Sequence, residues 1–72
     1  MNDIFSDYQS AHNAAVERAR QYQCDVGLEN AGPLYGKGKF RIFLLPRPEN
    51  RQGSELRCQV VRSDDPIAIR LV

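Results

Sequence analysis

Apolar residues recur at two different spacings along the chain, and the change of spacing divides it. From Asp3 to Gln23, the residues Ile4, Tyr8, Ala11, Ala15, Ala19 and Tyr22 fall at steps of three and four, the repeat of one helix face. No glycine or proline interrupts this segment, and Ala11, Ala14, Ala15 and Ala19 are strong helix formers. A helix is expected over about 3–23, capped by Asn2 or, one turn later, by Ser6 with Gln9 as a capping box. Early acids and the late Arg18 and Arg20 agree with the helix dipole. Its alanines suit close packing on a sheet.

Beyond Gly38 the repeat shortens to two. Residues 39–45 are the densest apolar stretch, with Phe40, Ile42 and Leu44 on one side and Lys39, Arg41, Phe43 and Leu45 on the other. Pro46 ends this strand because it has no amide to continue a ladder. A second strand is expected over about 54–62, with Leu56, Cys58 and Val60 inward and Arg57, Gln59 and Val61 outward. A third is expected over 67–72, where Ile67, Ile69 and Leu71 alternate with Ala68, Arg70 and Val72. If 46–53 is a hairpin loop, Leu44 faces Leu56, Ile42 faces Cys58 and Phe40 faces Val60, which collects the apolar positions on one face. A short strand over 25–29 is a further candidate, weakened by Gly27, and the glycines from Gly32 to Gly38 read as turns. The expected fold is α+β: one N-terminal amphipathic helix packed on a small, mostly antiparallel sheet of three to four strands, in a single domain over 1–72.

Composition narrows the class. At 72 residues the chain has room for one domain, which buries only roughly 60% of its surface on folding. Domains of this size without staples often oligomerise, and the outward Phe43, Leu45 and Val61 would make a patch suited to a homodimer. A hydrophobic fraction of 42% is too high for a disordered chain. No segment approaches the ~20 apolar residues that span a bilayer, and Asp3 and Asp7 stand where a secretory leader carries bases. A cytoplasmic protein without membrane contact is expected. Cys24 and Cys58 then read as reduced core thiols, bridged only if the helix end lies against the second strand.

The net charge of +1 hides an uneven distribution. Residues 1–30 hold two arginines against five acids (−3), residues 31–62 seven bases against Glu49 and Glu55 (+5), and residues 63–72 Arg70 against Asp64 and Asp65 (−1). The basic middle suggests an anionic partner.

Catalytic chemistry finds no constellation. His12 has no evident acid/base partner in sequence, and Asp64 and Asp65 before Pro66 read as turn residues. One histidine with two distant cysteines falls short of a metal site. Gly27 and Gly32 have phosphate-loop spacing, but Pro33 stands where lysine is required. Gly36-Lys-Gly-Lys-Phe-Arg precedes a strand where a dinucleotide loop follows one. No enzyme activity, cofactor or metal is expected.

Binding residues are the remaining candidates: Lys37, Lys39, Arg41, Phe43, Arg47, Arg51 and Arg57. One reading is a small interaction protein whose basic sheet face and loops meet a protein or nucleoprotein. By analogy of size class alone, it would be a phage or mobile-element inhibitor of anti-CRISPR type. The alternative is a single-stranded nucleic-acid module in which a base stacks on Phe43 between Arg41 and Arg57. The sequence pI of about 7.8 lies below the >9 of a dedicated nucleic-acid domain, which favours the first.

Overall fold

In the computed structural model, residues 3–64 are described. They form β1 (Asp3–Phe5), α1 (Tyr8–Tyr22), β2 (Val26–Asn30), β3 (Phe40–Leu44) and β4 (Gln59–Val61), with 3-10 turns at Pro33–Tyr35, Pro48–Asn50 and Gly53–Leu56. The four strands make one sheet in the order β1-β3-β2-β4, every neighbouring pair antiparallel. The α+β class, with a helix near the N-terminus packed on an antiparallel sheet, is as the hydrophobic pattern indicates. The strand expected over 67–72 lies outside the described residues.

The helix starts later than its apolar stripe. Residues 3–5 pair with β3, Ile4 opposite Arg41 and Phe5 opposite Phe40, so Ile4 and Phe5, both β-favouring, gain ladder hydrogen bonds. Ser6 is not the cap, and Asn2 lies outside the described residues. Asp7 holds extended backbone angles and its carboxylate accepts the Ser10 amide at 2.7 Å, the usual satisfaction of a free N-terminal donor. At the other end Gln23 turns left-handed (φ 57°) and its side-chain amide donates to the Arg20 carbonyl at 2.9 Å. Between these caps Ala11, Ala15, Val16 and Ala19 are buried. They meet Val26, Leu28, Ile42 and Val61 of the sheet, with Phe5, Ala14 and Phe40 packed around them.

The strand order corrects the hairpin. β3 and β4 are not neighbours: β2 lies between them, paired with β3 at Leu28↔Ile42 and with β4 at Val26↔Val61. Both flanking strands are antiparallel to β2 and hence parallel to each other, so residues 45–58 form a crossing connection and not a turn, as parallel strands require. The pairing also reverses the faces of β4. Val61 is buried in the core, whereas Val60 and Leu56 are exposed, Leu56 at 67% on a 3-10 turn. The expected strand over 54–62 is confined to 59–61, because Gln52 and Glu55 close a capping box around the Gly53–Leu56 turn. Leu44 is exposed, and Leu45 is buried beside Pro46, Pro48 and Arg51 of the crossing connection. The patch of Phe43, Leu45 and Val61 therefore does not form: Leu45 and Val61 are each only 5% exposed within the single chain.

Gly27, which argued against a strand in this segment, is what lets β2 occupy the centre. It sits opposite Phe43 and Val60 on the face away from the helix. A Cβ there would lie 2.5 Å from the Phe43 ring and 2.9 Å from Cys58 Sγ. Alanine in a strand ordinarily improves on glycine by about 0.5–1 kcal/mol. Here the crowding reverses the sign: Gly27→Ala is expected to cost about 1–3 kcal/mol in a denaturant melt, and Phe43→Leu in the same chain to recover part of it. A stabilised Gly27→Ala protein would show that the ring does not need that space.

Candidate basic end of the sheet

The seven expected binding residues do not share a surface. Arg41 and Phe43 stand on the face opposite the helix, and Arg41 is already engaged. Its Nε donates to Glu29 Oε1 at 2.7 Å, its Nη2 reaches the same oxygen, and its guanidinium carbon lies 5.2 Å from the centre of the Phe43 ring. Phe43 is half-buried against Gly27. Arg51 is likewise engaged, donating to Asp25 Oδ2 at 2.8 Å and to the Pro46 carbonyl at 3.0 Å. Arg47 is exposed beside that pair, by the C-terminal end of the helix.

Lys37, Lys39 and Arg57 gather at the opposite end of the sheet, where β2 leaves and β3 and β4 begin. No ion pair among the described residues uses any of them. Two cavities meet there, and Asn30 lines both. One, of about 460 Å³, is walled by Asn30, Gly32, Gly36, Lys37 and Gly38. The other, of about 270 Å³, lies among Tyr8, Glu29, Asn30, Phe40, Arg57 and Gln59. Its floor is fixed by Tyr8, whose hydroxyl accepts from Gln59 Nε2 at 2.6 Å and whose ring meets Phe40 edge-on at 5.6 Å. His12 stacks on the Tyr8 ring, with the ring centres 5.8 Å apart.

Above the cavities projects the connection from β2 to β3. The Ala31 amide donates to the Lys39 carbonyl at 3.0 Å and closes its base, and the Tyr35 amide donates to the Gly32 carbonyl at 3.1 Å within its 3-10 turn. Gly32, Gly36 and Gly38 adopt φ of 98°, 87° and 77°, angles that side chains disfavour. The path they permit carries Leu34 outward, at 94% exposure, with Tyr35 beside it. Sequence reasoning missed Leu34, Tyr35 and Asn30. The available signal was an apolar pair inside a glycine-rich segment that neither repeat claimed.

The opposite end is structural. Asp25 Oδ1 accepts the Ser63 amide at 3.0 Å, Oδ2 accepts Arg51, and the Asp25 carbonyl accepts the Leu45 amide at 2.9 Å. Burial pushes its carboxyl pKa up, but the Ser63 amide and the Arg51 guanidinium together outweigh burial and hold it below the ordinary value. Cys24 belongs to this end and Cys58 to the other, and both are free thiols. Burial, helped by Glu29, pushes the Cys58 thiol up, away from the thiolate that reactive cysteines present.

Among the described residues no group of three or more His, Cys, Asp or Glu side chains is placed to hold a metal ion. No described helix is long and apolar enough to cross a membrane. In comparisons with protein-family models, curated proteins and solved structures, the chain finds no match.

Proposed function

We propose that this chain is a small non-enzymatic interaction protein that docks on a protein or nucleoprotein through the basic end of its sheet. The observation that carries this reading is Leu34, held almost wholly in water at the tip of a closed loop. Burying such a side chain is worth about 1.5–3 kcal/mol, which a partner's apolar pocket would supply. Lys37 and Lys39 belong to the same connection, have no ion-pair partners among the described residues and would steer it to an acidic rim. An inhibitor seated on a host nucleoprotein is one biological form of such binding, and two free thiols suit a cytoplasmic setting.

The nucleic-acid alternative has less support, since two of its three residues are engaged within the chain: Arg41 with Glu29, and Phe43 against Gly27 and under Arg41. A photo-crosslinking side chain at position 34, introduced in the organism that carries the gene, tests the choice. The expected result is one discrete protein adduct, lost with Lys37→Glu and Lys39→Glu together and absent when the crosslinker replaces Asn13 on the outer face of the helix. Adducts to nucleic acid alone, or equal adducts from both positions, would overturn the proposal.

A further inference from the structure

The cavity beneath the lysines has a chemistry of its own. Among the described residues its wall is made of three glycines, Asn30 and Lys37, with no carboxylate. None of the backbone hydrogen bonds among the described residues takes the amide of Gly36, Lys37 or Gly38. Tyr35 ends a right-handed 3-10 turn and Gly36 follows at φ 87°, and a right-handed residue followed by a left-handed one aims successive amides at a common point. Glycines there also let an oxygen-rich group approach the backbone without meeting a Cβ: space is open for 4 Å around the Cβ position at Gly32, Gly36 and Gly38.

From these features we propose that the cup of Asn30, Gly32, Gly36, Lys37 and Gly38 binds a phosphate group. The free amides of Gly36 and Lys37 and the Asn30 side-chain amide donate to its oxygens, and the Lys37 side chain supplies the counter-charge. The volume of about 460 Å³ exceeds a lone phosphate and leaves room for a larger molecule that carries one. A nucleoside phosphate and the backbone of a strand share this chemistry. The site deepens the docking reading and rests on it, since the same loop carries Leu34 outward and the cup inward. In a nucleoprotein partner, Leu34 would meet protein while the cup meets phosphate.

The test is a titration of isotope-labelled full-length protein, followed by amide resonances, with inorganic phosphate, with adenosine 5′-monophosphate, and with a short single strand lacking terminal phosphates. Sodium chloride at matched ionic strength is the control. Saturable shifts centred on residues 36–38 and Asn30 are expected with phosphate and not with chloride. Lys37→Gln is expected to weaken binding by about tenfold, in line with one charge-assisted hydrogen bond. Tighter binding of the monophosphate than of the strand assigns the source to a free nucleotide, and the reverse assigns it to a strand backbone. Shifts that match those in chloride, or that persist unchanged in Lys37→Gln, overturn the site. Loss of phosphate binding with crosslinking at position 34 intact would refute the cup alone. Phosphate binding without a protein adduct would refute the docking reading alone.

Discussion

Replacing Ile42 with alanine is expected to cost about 2–5 kcal/mol, which rivals the whole stability of a domain this small, on the order of 3–5 kcal/mol. The position explains the size. Ile42 is on β3, flanked by β1 and β2, opposite Asp3 on one side and Leu28 on the other. It is 5% exposed within the cluster beneath Ala11, Ala15 and Ala19. The alanines have little side chain to move into a void, so the cavity would not close. Ile42→Val, which removes one methylene, should cost about 0.5–1.5 kcal/mol. Leu56→Ala separates this sheet from the hairpin that the apolar pattern suggests. With Leu56 on an exposed 3-10 turn, its truncation should stay within about 0.5 kcal/mol, whereas a strand residue facing Leu44 in the core would cost as much as Ile42. Urea melts of the three variants, read by circular dichroism, decide between the two arrangements.

That contrast marks how far the fold was legible in the sequence. Local signals carried the helix and β3: an uninterrupted three–four repeat and a dense alternating run leave few alternatives. The inward placement of Phe40 and Ile42 followed from alternation alone. Non-local information was missing. Alternation cannot say which strand lies beside which, so β3 and β4 were joined as a hairpin when β2 separates them. The discounted strand was β2 because glycine usually weakens a strand, and only the Phe43 ring against Gly27 shows why it is needed there. Once β4 pairs with β2, its register puts Val61 inside and Val60 outside. The site was legible only in part. Lys37, Lys39 and Arg57 do gather at one end, but Arg41 and Arg51 looked equally available, because carboxylates far away in sequence, Glu29 and Asp25, neutralise them.

The second large effect belongs to the Asp25–Arg51 pair. Arg51→Ala is expected to cost about 2–4 kcal/mol, somewhat below the 3–5 kcal/mol of a fully buried pair, because the Asp25 side chain keeps 23% of its exposure while Arg51 keeps 11%. Arg51 joins the crossing connection to the start of β2 through Asp25, and to its own loop through the Pro46 carbonyl. Its removal leaves a largely buried carboxylate with, among the described residues, the Ser63 amide and the charge of Arg62. Hydrogen exchange should then quicken first at Leu45, whose amide the Asp25 carbonyl accepts, and at the amide of position 51, which the Pro48 carbonyl accepts. Changing both partners, Asp25→Asn with Arg51→Met, should recover part of the loss, since neither charge is then stranded. The pH dependence has a definite sign. Asp25 is held below its ordinary value in the fold, so its contribution is fully present above that ordinary value and is lost as pH falls through the depressed one. Asp25→Asn should accordingly flatten the acid limb of the stability profile below about pH 4. An unchanged acid limb, or an Arg51→Ala protein as stable as the wild type, would show that the crossing connection is held by something else.

The docking claim is tested most directly by calorimetric titration of the protein that crosslinks at position 34 with wild-type chain and with Leu34→Asp. Leu34 is exposed and touches no part of the core cluster, so the variant should fold normally, which its melting curve will show. If Leu34 is the anchor, Leu34→Asp weakens binding by about thirtyfold or more, the loss of a hot-spot side chain of at least about 2 kcal/mol. Equal affinity of the two proteins would contradict the account and move the contact surface away from this end of the sheet.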